Sequence, residues 1–170
     1  MNLTASQIRQ DLSCFGEFGQ QGYGYNVESL RSEIAEILGM NLGHTAVLLG
    51  VGNLGHALME NFHFERSGFR LTAAFDIDPD IIGREISGLK VLPVSQLPEY
   101  LKQNPTSVGI LTVPRTAAPI MSEQLIEGGV RGIWNFTNIE LRIDTPGVIV
   151  ENVHFSDSLL ALSYLISEAL

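Results

Sequence analysis

Apolar and polar residues alternate in blocks through the middle of the chain. Residues 45–51 form a continuous apolar run, which is typical of a strand buried on both faces. Apolar residues then recur at helical spacing over residues 53–64, so a helix is predicted to follow this strand. The alternation continues, with strands predicted at 69–77, 90–94, 107–113, 133–136 and 148–153 and helices at 95–103 and 117–127. This order predicts an α/β fold with a doubly wound, mainly parallel sheet over residues 41–154.

The first 40 residues follow a different pattern. Residues 4–7, Thr-Ala-Ser-Gln, match a capping box and open a predicted helix that reaches Phe15. Glycines interleaved with aromatic residues between positions 16 and 25 predict a short two-stranded hairpin. A second helix is predicted between Asn26, which can cap its start, and Gly39, which can end it.

The last predicted helix, residues 155–170, carries apolar side chains round most of its circumference. They are Phe155, Leu159, Leu160, Leu162, Tyr164, Leu165 and Ile166. A helix that is apolar on all sides must be covered on more than one of them. We expect the chain's own core to cover one side and a partner subunit to cover the other.

Charge and cysteine content narrow the classes of protein. The 170 residues include 10 lysines and arginines against 19 acidic residues, a net charge of −9. Such a chain binds phosphate backbones or anionic lipid poorly as a whole, so contacts with nucleic acid must be local. A single cysteine, Cys14, cannot form an intrachain disulfide, and the sequence lacks a signal peptide or an apolar run long enough for a bilayer. We therefore expect a cytoplasmic protein with no membrane partner.

A glycine-rich turn joins the first predicted strand to its helix. It has the G-x-G-x-x-G pattern and consists of Gly50, Val51, Gly52, Asn53, Leu54 and Gly55. The first glycine permits a tight turn, the second permits close approach of a pyrophosphate, and the third lets the helix pack on the strand. The N-terminus of the helix then offers N–H groups to phosphate. This turn predicts a dinucleotide site.

Residues at the ends of the other strands are predicted to complete the same site. Asp76 and Ile77 end the second strand, and the Asp76 carboxylate can accept hydrogen bonds from a ribose diol. It would repel a 2′-phosphate, which favours NAD(H) over NADP(H). The residues predicted to flank the nicotinamide are Thr112, Val113, Pro114, Asn135 and Phe136. Alternatively, Asp76 only starts a turn with Asp78, and the others are ordinary loop residues.

Groups that could perform catalysis are not recognisable in the sequence. The four histidines are scattered, and neither a nucleophile with its base nor a cluster of metal ligands stands at informative spacing. Only 57 residues follow Val113, and they are needed to finish the sheet and the last helix. The sequence therefore predicts a sensor that binds a dinucleotide, with no catalytic residue and no metal.

Several segments, in the same order along the chain, resemble the Rex family of redox-sensing transcriptional repressors. Residues 4–13 (TASQIRQDLS) and the glycine-aromatic hairpin resemble a recognition helix and wing. The resemblance continues through the glycine turn and covers essentially the whole chain. Its further segments are 74–78 (AFDID), 111–114 (LTVP), 132–136 (GIWNF) and 162–164 (LSY).

The resemblance implies a homodimer that binds operator DNA when NADH is scarce and releases it when NADH binds. Residues 1–40 would be a winged-helix segment, 41–154 the NAD(H)-binding Rossmann domain, and 155–170 a helix swapped onto the partner. Contacts with DNA would come from Gln7, Arg9 and Ser13. Two readings from other classes remain open: a small NAD-dependent oxidoreductase domain without its substrate partner, and a domain for another adenine ligand such as coenzyme A.

The sequence departs from the family at three places. Helices precede the recognition helix in the family, and Met1 stands only three residues before Thr4, so the winged helix is expected to be incomplete. Gln20 and Gln21 replace basic residues of the wing, and residues 1–43 have two basic and five acidic residues. Operator binding by this chain is therefore expected to be weak or lost. His154 and Leu92 replace an Asp and a Tyr that help the family read the cofactor state.

Overall fold

The computed structural model describes residues 19–20 and 24–168. Strands β1 (Gly19–Gln20) and β2 (Gly24–Tyr25) pair antiparallel, as predicted for the hairpin. Helix α1 (Val27–Ile37) follows, and the Asn26 side chain caps it by accepting the N–H groups of Glu28 and Ser29 at 3.1 Å. The predicted first helix and the proposed DNA contacts Gln7, Arg9 and Ser13 lie outside the described residues.

A seven-stranded sheet forms the centre of the fold. Its strands are β3 (His44–Leu49), β4 (Phe69–Asp76), β5 (Glu85–Ile86), β6 (Leu89–Pro93), β7 (Val108–Leu111), β8 (Gly132–Asn135) and β9 (Ile149–Asn152). Their spatial order is β5-β6-β4-β3-β7-β8-β9, and all neighbours are parallel except β5 and β6. The predicted α/β fold with a mainly parallel sheet is confirmed. The short strand β5 was not predicted because two residues are too few to show a period.

Helices flank the sheet at the predicted places, with corrected ends. Those that flank it are α2 (Asn53–Asn61), α3 (Leu97–Gln103) and α4 (Ala118–Glu127), and α5 (Phe155–Glu168) follows β9. The prediction that α2 extends to Phe64 is wrong, because Phe62 is extended and Phe64 turns inward to be buried. Within the described ranges, no helix is both long and apolar enough to cross a membrane.

Two apolar layers cover the two faces of the sheet. Successive strand residues point to opposite faces, so β3 contributes Leu48 to one layer and Leu49 to the other. Met59 of α2 packs in the first layer, and Leu97 and Leu125 of α3 and α4 pack in the second. This is why residues 46–49 can all be apolar and fully buried.

Helix α5 leaves the sheet instead of packing on it. Every described residue of α5 is exposed, so the prediction that the chain's own core covers one of its sides is wrong. An apolar groove of about 420 Å³ also remains on the sheet face opposite α4, lined mainly by Phe62, Val108, Trp134 and Ile149. The segment between β8 and β9 contains no helix that could cover this face. Among residues 19–20 and 24–168, therefore, nothing covers the apolar helix or this apolar sheet face.

Candidate functional site

The glycine turn, residues 50–55, stands at the crevice where the chain crosses from one side of the sheet to the other. Strand β3 lies between β4 and β7, so its carboxyl end is the point at which the strand order reverses. Gly50 has a φ of +94°, and a Cβ there would lie 2.8 Å from the Thr112 carbonyl oxygen. Only glycine fits this backbone conformation and this close approach.

The other two glycines of the turn have different surroundings. A Cβ on Gly55 would lie 2.0 Å from the Gly50 carbonyl oxygen, so this glycine lets α2 pack directly on the turn. A Cβ on Gly52 would meet nothing within 4 Å, and Gly52 is exposed at the N-terminus of α2. The backbone at this helix end is therefore accessible to an anionic group, and the first N–H groups of a helix attract one.

Asp76 braces the glycine turn from the end of β4. Its carboxylate is only 9% exposed and accepts the Val51 N–H on Oδ2 at 2.5 Å. Its other oxygen accepts the N–H groups of Ile77 at 2.7 Å and Asp78 at 2.9 Å. A carboxylate has about four acceptor positions, and these bonds use three. Asp76 thus holds a turn of its own and joins β4 to β3, with one acceptor position remaining.

Thr112 joins the turn from the other side of the crevice. Its hydroxyl lies 2.6 Å from the Gly50 carbonyl oxygen and 3.0 Å from that of Leu49, so it donates its proton to one of these two. Of the two residues that follow it, Val113 is half-buried and packs against the core, while Pro114 is exposed at the rim.

Asn135 and Phe136 lie one strand further along the same edge. The side chain of Asn135 is 1% exposed and is hydrogen-bonded to Thr137, Ile139 and Asn152. The half-buried ring of Phe136 has its centroid 4.5 Å from that of Trp134. Contacts of either residue with a cofactor stay a prediction.

The structure brings most of the predicted site residues together and adds one residue that the sequence analysis missed. The glycine turn, Asp76 and Thr112 form one hydrogen-bonded unit, and Ile77 projects from its rim with 81% of its surface exposed. The missed residue is Asn152, which ends β9 and bonds to Asn135. Asn152 could have been found from the sequence, because it stands near the end of a predicted parallel strand, as Asn135 does.

Charged side chains beside this edge form no metal site. Across residues 19–20 and 24–168, no three His, Cys, Asp or Glu side chains are grouped so that they could hold a metal. Arg142 donates a 2.9 Å hydrogen bond to Glu140 and lowers the pKa of that carboxyl below its ordinary value, with a smaller contribution from the charge of His154. Both partners of this ion pair are exposed, so it contributes little to stability.

Comparisons with known proteins identify relatives over nearly the whole chain. The CoA binding domain family matches residues 43–139. The redox-sensing transcriptional repressor Rex of Clostridium beijerinckii is 47% identical over 169 residues, which are 99% of this chain and 80% of that protein. The crystal structure of RSP, a Rex-family repressor, in complex with beta-NAD⁺ and operator DNA has a TM-score of 0.86 and 44% identity, covering 99% of this chain and 77% of RSP. RSP in complex with beta-NADH gives a TM-score of 0.84 at 40% identity, over 98% and 77% of the two chains.

The brace by Asp76 predicts an effect on stability that needs no ligand. Asp76→Asn replaces an acceptor oxygen by an NH₂ group that faces backbone N–H donors, so we expect the free energy of unfolding to fall by about 1–3 kcal/mol. Asp78→Asn is the matched control, because exposed Asp78 needs only one acceptor oxygen for the Asp80 N–H and should change stability by less than about 0.5 kcal/mol. Urea unfolding of the three proteins measures both values. Equal stability of the two variants would contradict the brace.

Proposed function

Because the chain belongs to the Rex family of redox-sensing transcriptional repressors, we propose that it is a homodimeric sensor that binds NADH and thereby lowers its affinity for operator DNA. Membership of a repressor family confirms the prediction that the chain is not an enzyme. The crystallised relative RSP has been obtained with beta-NAD⁺ and operator DNA and with beta-NADH, which supports the same ligands here. We propose a cytoplasmic location on the same basis.

The observation that supports this proposal most is the prebuilt glycine turn. Gly50 already has the conformation that brings the turn against Thr112, and Asp76 already holds it from β4. A pyrophosphate fits at exposed Gly52, where no side chain blocks the N-terminus of α2. Binding at such a site needs little rearrangement, so little free energy is lost in ordering the turn.

The rest of the crevice fits the two ends of a dinucleotide. We assign the adenosine ribose to the remaining acceptor position of Asp76 and to the exposed edge at Ile77. We assign the nicotinamide half to Thr112, Val113, Pro114 and the loop that starts at Asn135 and Phe136. NAD⁺ has a positive charge on its nicotinamide that NADH lacks, so apolar neighbours such as Val113 and Phe136 favour the reduced form. NADH can change DNA affinity only through its different affinity for two arrangements of the dimer.

A second candidate ligand, coenzyme A, is favoured by one observation. Residues 43–139 match the CoA binding domain family, and the pyrophosphate of coenzyme A would use the same glycine turn. An oxidoreductase without its substrate partner has no comparable support.

The dimer is proposed from two surfaces that the described part of the chain leaves uncovered. Helix α5 is about 21 Å long and exposes seven large apolar side chains, and the apolar groove lies on the sheet face beside it. Phe155, the first residue of α5, has its ring centroid 6.3 Å from that of Phe136, whose ring in turn contacts Trp134 in the groove. The helix therefore starts near the groove and then extends away from the sheet. We propose that α5 of each subunit occupies the groove of the other, because a two-fold exchange covers both surfaces at once. Residues 155–170 would then act as the dimerisation helix and 41–154 as the ligand-binding domain.

Operator binding is proposed to be weak because of the charge of the first segment. Residues 1–43 have a net charge of −3, which opposes contact with phosphates. Arg9 is one of only two basic residues in this segment, and together with Gln7 and Ser13 it is proposed to face the bases. Residues 1–40 are proposed to be the DNA-binding segment.

Ligand choice is predicted to follow the carboxylates at the end of β4. We expect NADH to bind at least about tenfold more tightly than NADPH, because a 2′-phosphate would approach the carboxylates of Asp76 and Asp78.

NADH binding is also predicted to depend on the glycine turn. Gly50→Ala should abolish NADH binding, because its Cβ would meet the Thr112 backbone. Gly129→Ala is the matched control, since Gly129 has a similar φ of +92° but a Cβ there meets nothing. Calorimetric titration measures the affinity of the wild type for NADH and for NADPH, and that of each variant for NADH. Tighter binding of NADPH, or displacement of NADH by equimolar coenzyme A, would refute the proposed ligand.

Dimerisation is predicted to depend on the apolar surface of α5. The double change Leu159→Glu and Leu162→Glu puts two charges on this surface, and we expect it to convert a dimer into a monomer at micromolar concentration because buried unpaired charges are costly. Ser156→Glu and Ser167→Glu add the same two charges on the serine stripe of α5, away from Leu159 and Leu162, and should leave the dimer intact. Sedimentation velocity reports the assembly state. A wild-type monomer, or a dimer that survives the leucine changes, would contradict the exchange of α5.

Operator affinity is predicted to rise when basic residues are restored to the wing. Gln20→Lys with Gln21→Lys should increase DNA affinity and make the slope of log affinity against log salt steeper by about 1.8, the value for two added phosphate contacts. Gln96→Lys with Gln103→Lys adds the same charge on exposed positions around α3 and should leave the slope unchanged. Gel shifts on a Rex operator over a salt series, with and without NADH, provide the measurement. Tight, NADH-sensitive binding by the unchanged chain would disprove the proposed weakness.

A further inference from the structure

Two asparagines join the carboxyl ends of the last two strands. Asn135 ends β8, Asn152 ends β9, and the two residues are register partners. Asn135 Nδ2 donates a 2.7 Å hydrogen bond to Asn152 Oδ1. This amide pair, Asn135 and Asn152, lies at the edge of the sheet on which the ligand site is proposed.

The amide pair holds the backbone of residues 137–141. Asn135 Oδ1 accepts the Thr137 N–H at 3.0 Å and the Thr137 hydroxyl at 2.6 Å, while its Nδ2 also donates to the Ile139 carbonyl at 2.7 Å. The side-chain amide of Asn152 pairs with the Leu141 backbone as the backbone of a neighbouring strand would. Its Oδ1 accepts the Leu141 N–H at 3.0 Å, and its Nδ2 donates to the Leu141 carbonyl at 3.3 Å. These bonds use both donors and both acceptor positions of Asn135, so its side chain has none left for a ligand.

The held segment contains one residue in a left-handed backbone conformation. Asn138, the second residue of the segment, has a φ of +58°, which among residues other than glycine is adopted most readily by asparagine and aspartate. Such conformations persist where the surrounding bonds over-determine them. Removing one amide of the pair leaves buried polar groups without partners, which is costly in a buried network. The amide pair is therefore what keeps the segment in this shape.

The position of the amide pair connects the proposed ligand site to α5. Phe136, a proposed neighbour of the nicotinamide, directly follows Asn135, and α5 begins three residues after Asn152. The backbone continues the connection, because the Val153 N–H donates to the Asn135 carbonyl at 2.9 Å. The same hydrogen bonds therefore hold the backbone next to Phe136 and the residues from which α5 starts. A displacement of Phe136 would be passed through them to the direction of α5.

We infer that Asn135 and Asn152 are positioning residues that transmit ligand binding at the Phe136 loop to the base of α5. This inference rests on the proposed NADH site. The hydrogen-bonding positions of the Asn135 side chain are all taken within the chain, so the amide pair acts by holding the loop beside the ligand and the first residues of the dimerisation helix in one arrangement. Binding that orders the Phe136 loop therefore also orders residues 153–158.

Hydrogen exchange of the full chain, with and without saturating NADH, tests this role residue by residue. In the wild type we expect NADH to slow exchange about tenfold both at residues 50–55 and at residues 153–158. Asn152→Ala should keep the effect at 50–55 and reduce that at 153–158 to less than about twofold. Asn104→Ala removes an exposed amide bound to the Tyr100 carbonyl, and Leu101→Ala weakens the core against Gly128; both should behave as the wild type.

The two regions separate the possible failures. If NADH slows exchange nowhere in the wild type, the proposed NADH site is wrong and this inference falls with it. If residues 50–55 are slowed but 153–158 are not, or if Asn152→Ala leaves both effects intact, only the positioning role is overturned. If Leu101→Ala loses the effect at 153–158 as well, general loss of stability explains the result and the positioning role is again overturned.

Discussion

Asp76 accepts hydrogen bonds from Val51, 25 residues before it, and from the two residues that follow it, and the shape of the ligand crevice depends on these bonds. One oxygen holds the Val51 N–H in the glycine turn, and the other holds the N–H groups at the end of β4. The charge of a carboxylate makes each of these bonds stronger than a neutral one. With Thr112 bonded to the opposite side of the same turn, the backbone that would receive a pyrophosphate is rigid before any ligand arrives. A sensor benefits from this, because its ligand affinity can report concentration without a large ordering cost.

The same edge of the sheet contains a second hydrogen-bonded unit with a different consequence. The glycine turn follows β3 and is hydrogen-bonded to residues at the ends of β4 and β7. The amide pair joins β8 and β9 and lies directly before α5. A dinucleotide that spans the crevice would rest on the first unit with one half and beside the second with the other. In the proposed function, phosphate recognition and communication with the partner subunit would therefore lie on separate strands.

Helix α5 and the apolar groove explain why this fold should be considered as a dimer. Parallel sheets are normally covered on both faces, and here the described chain supplies α3 and α4 on one face but only α2 on the other. An exposed apolar helix and an uncovered apolar sheet face in one chain are each unfavourable in water. In the proposed dimer, a second copy would remove both exposures with the same contact. The region that NADH is proposed to order lies where this contact begins.

The sequence by itself determined the layers and the turn. The run at residues 45–51 is typical of a strand buried on both faces, and G-x-G-x-x-G at its end indicates a tight turn into a helix; both depend on local pattern, which is why they could be predicted. Tertiary structure decided what the side chains at the strand ends do. Asp76 and Asn135 were read from sequence as ligand contacts, yet three of the hydrogen-bonding positions of Asp76 and all those of Asn135 are taken within the chain. Some of the partners are the residues that directly follow, but Val51 and Asn152 come close only when separate strands align. Similarly, the apolar pattern of α5 predicted burial, and only the path of the chain after β9 showed that its own core does not provide it.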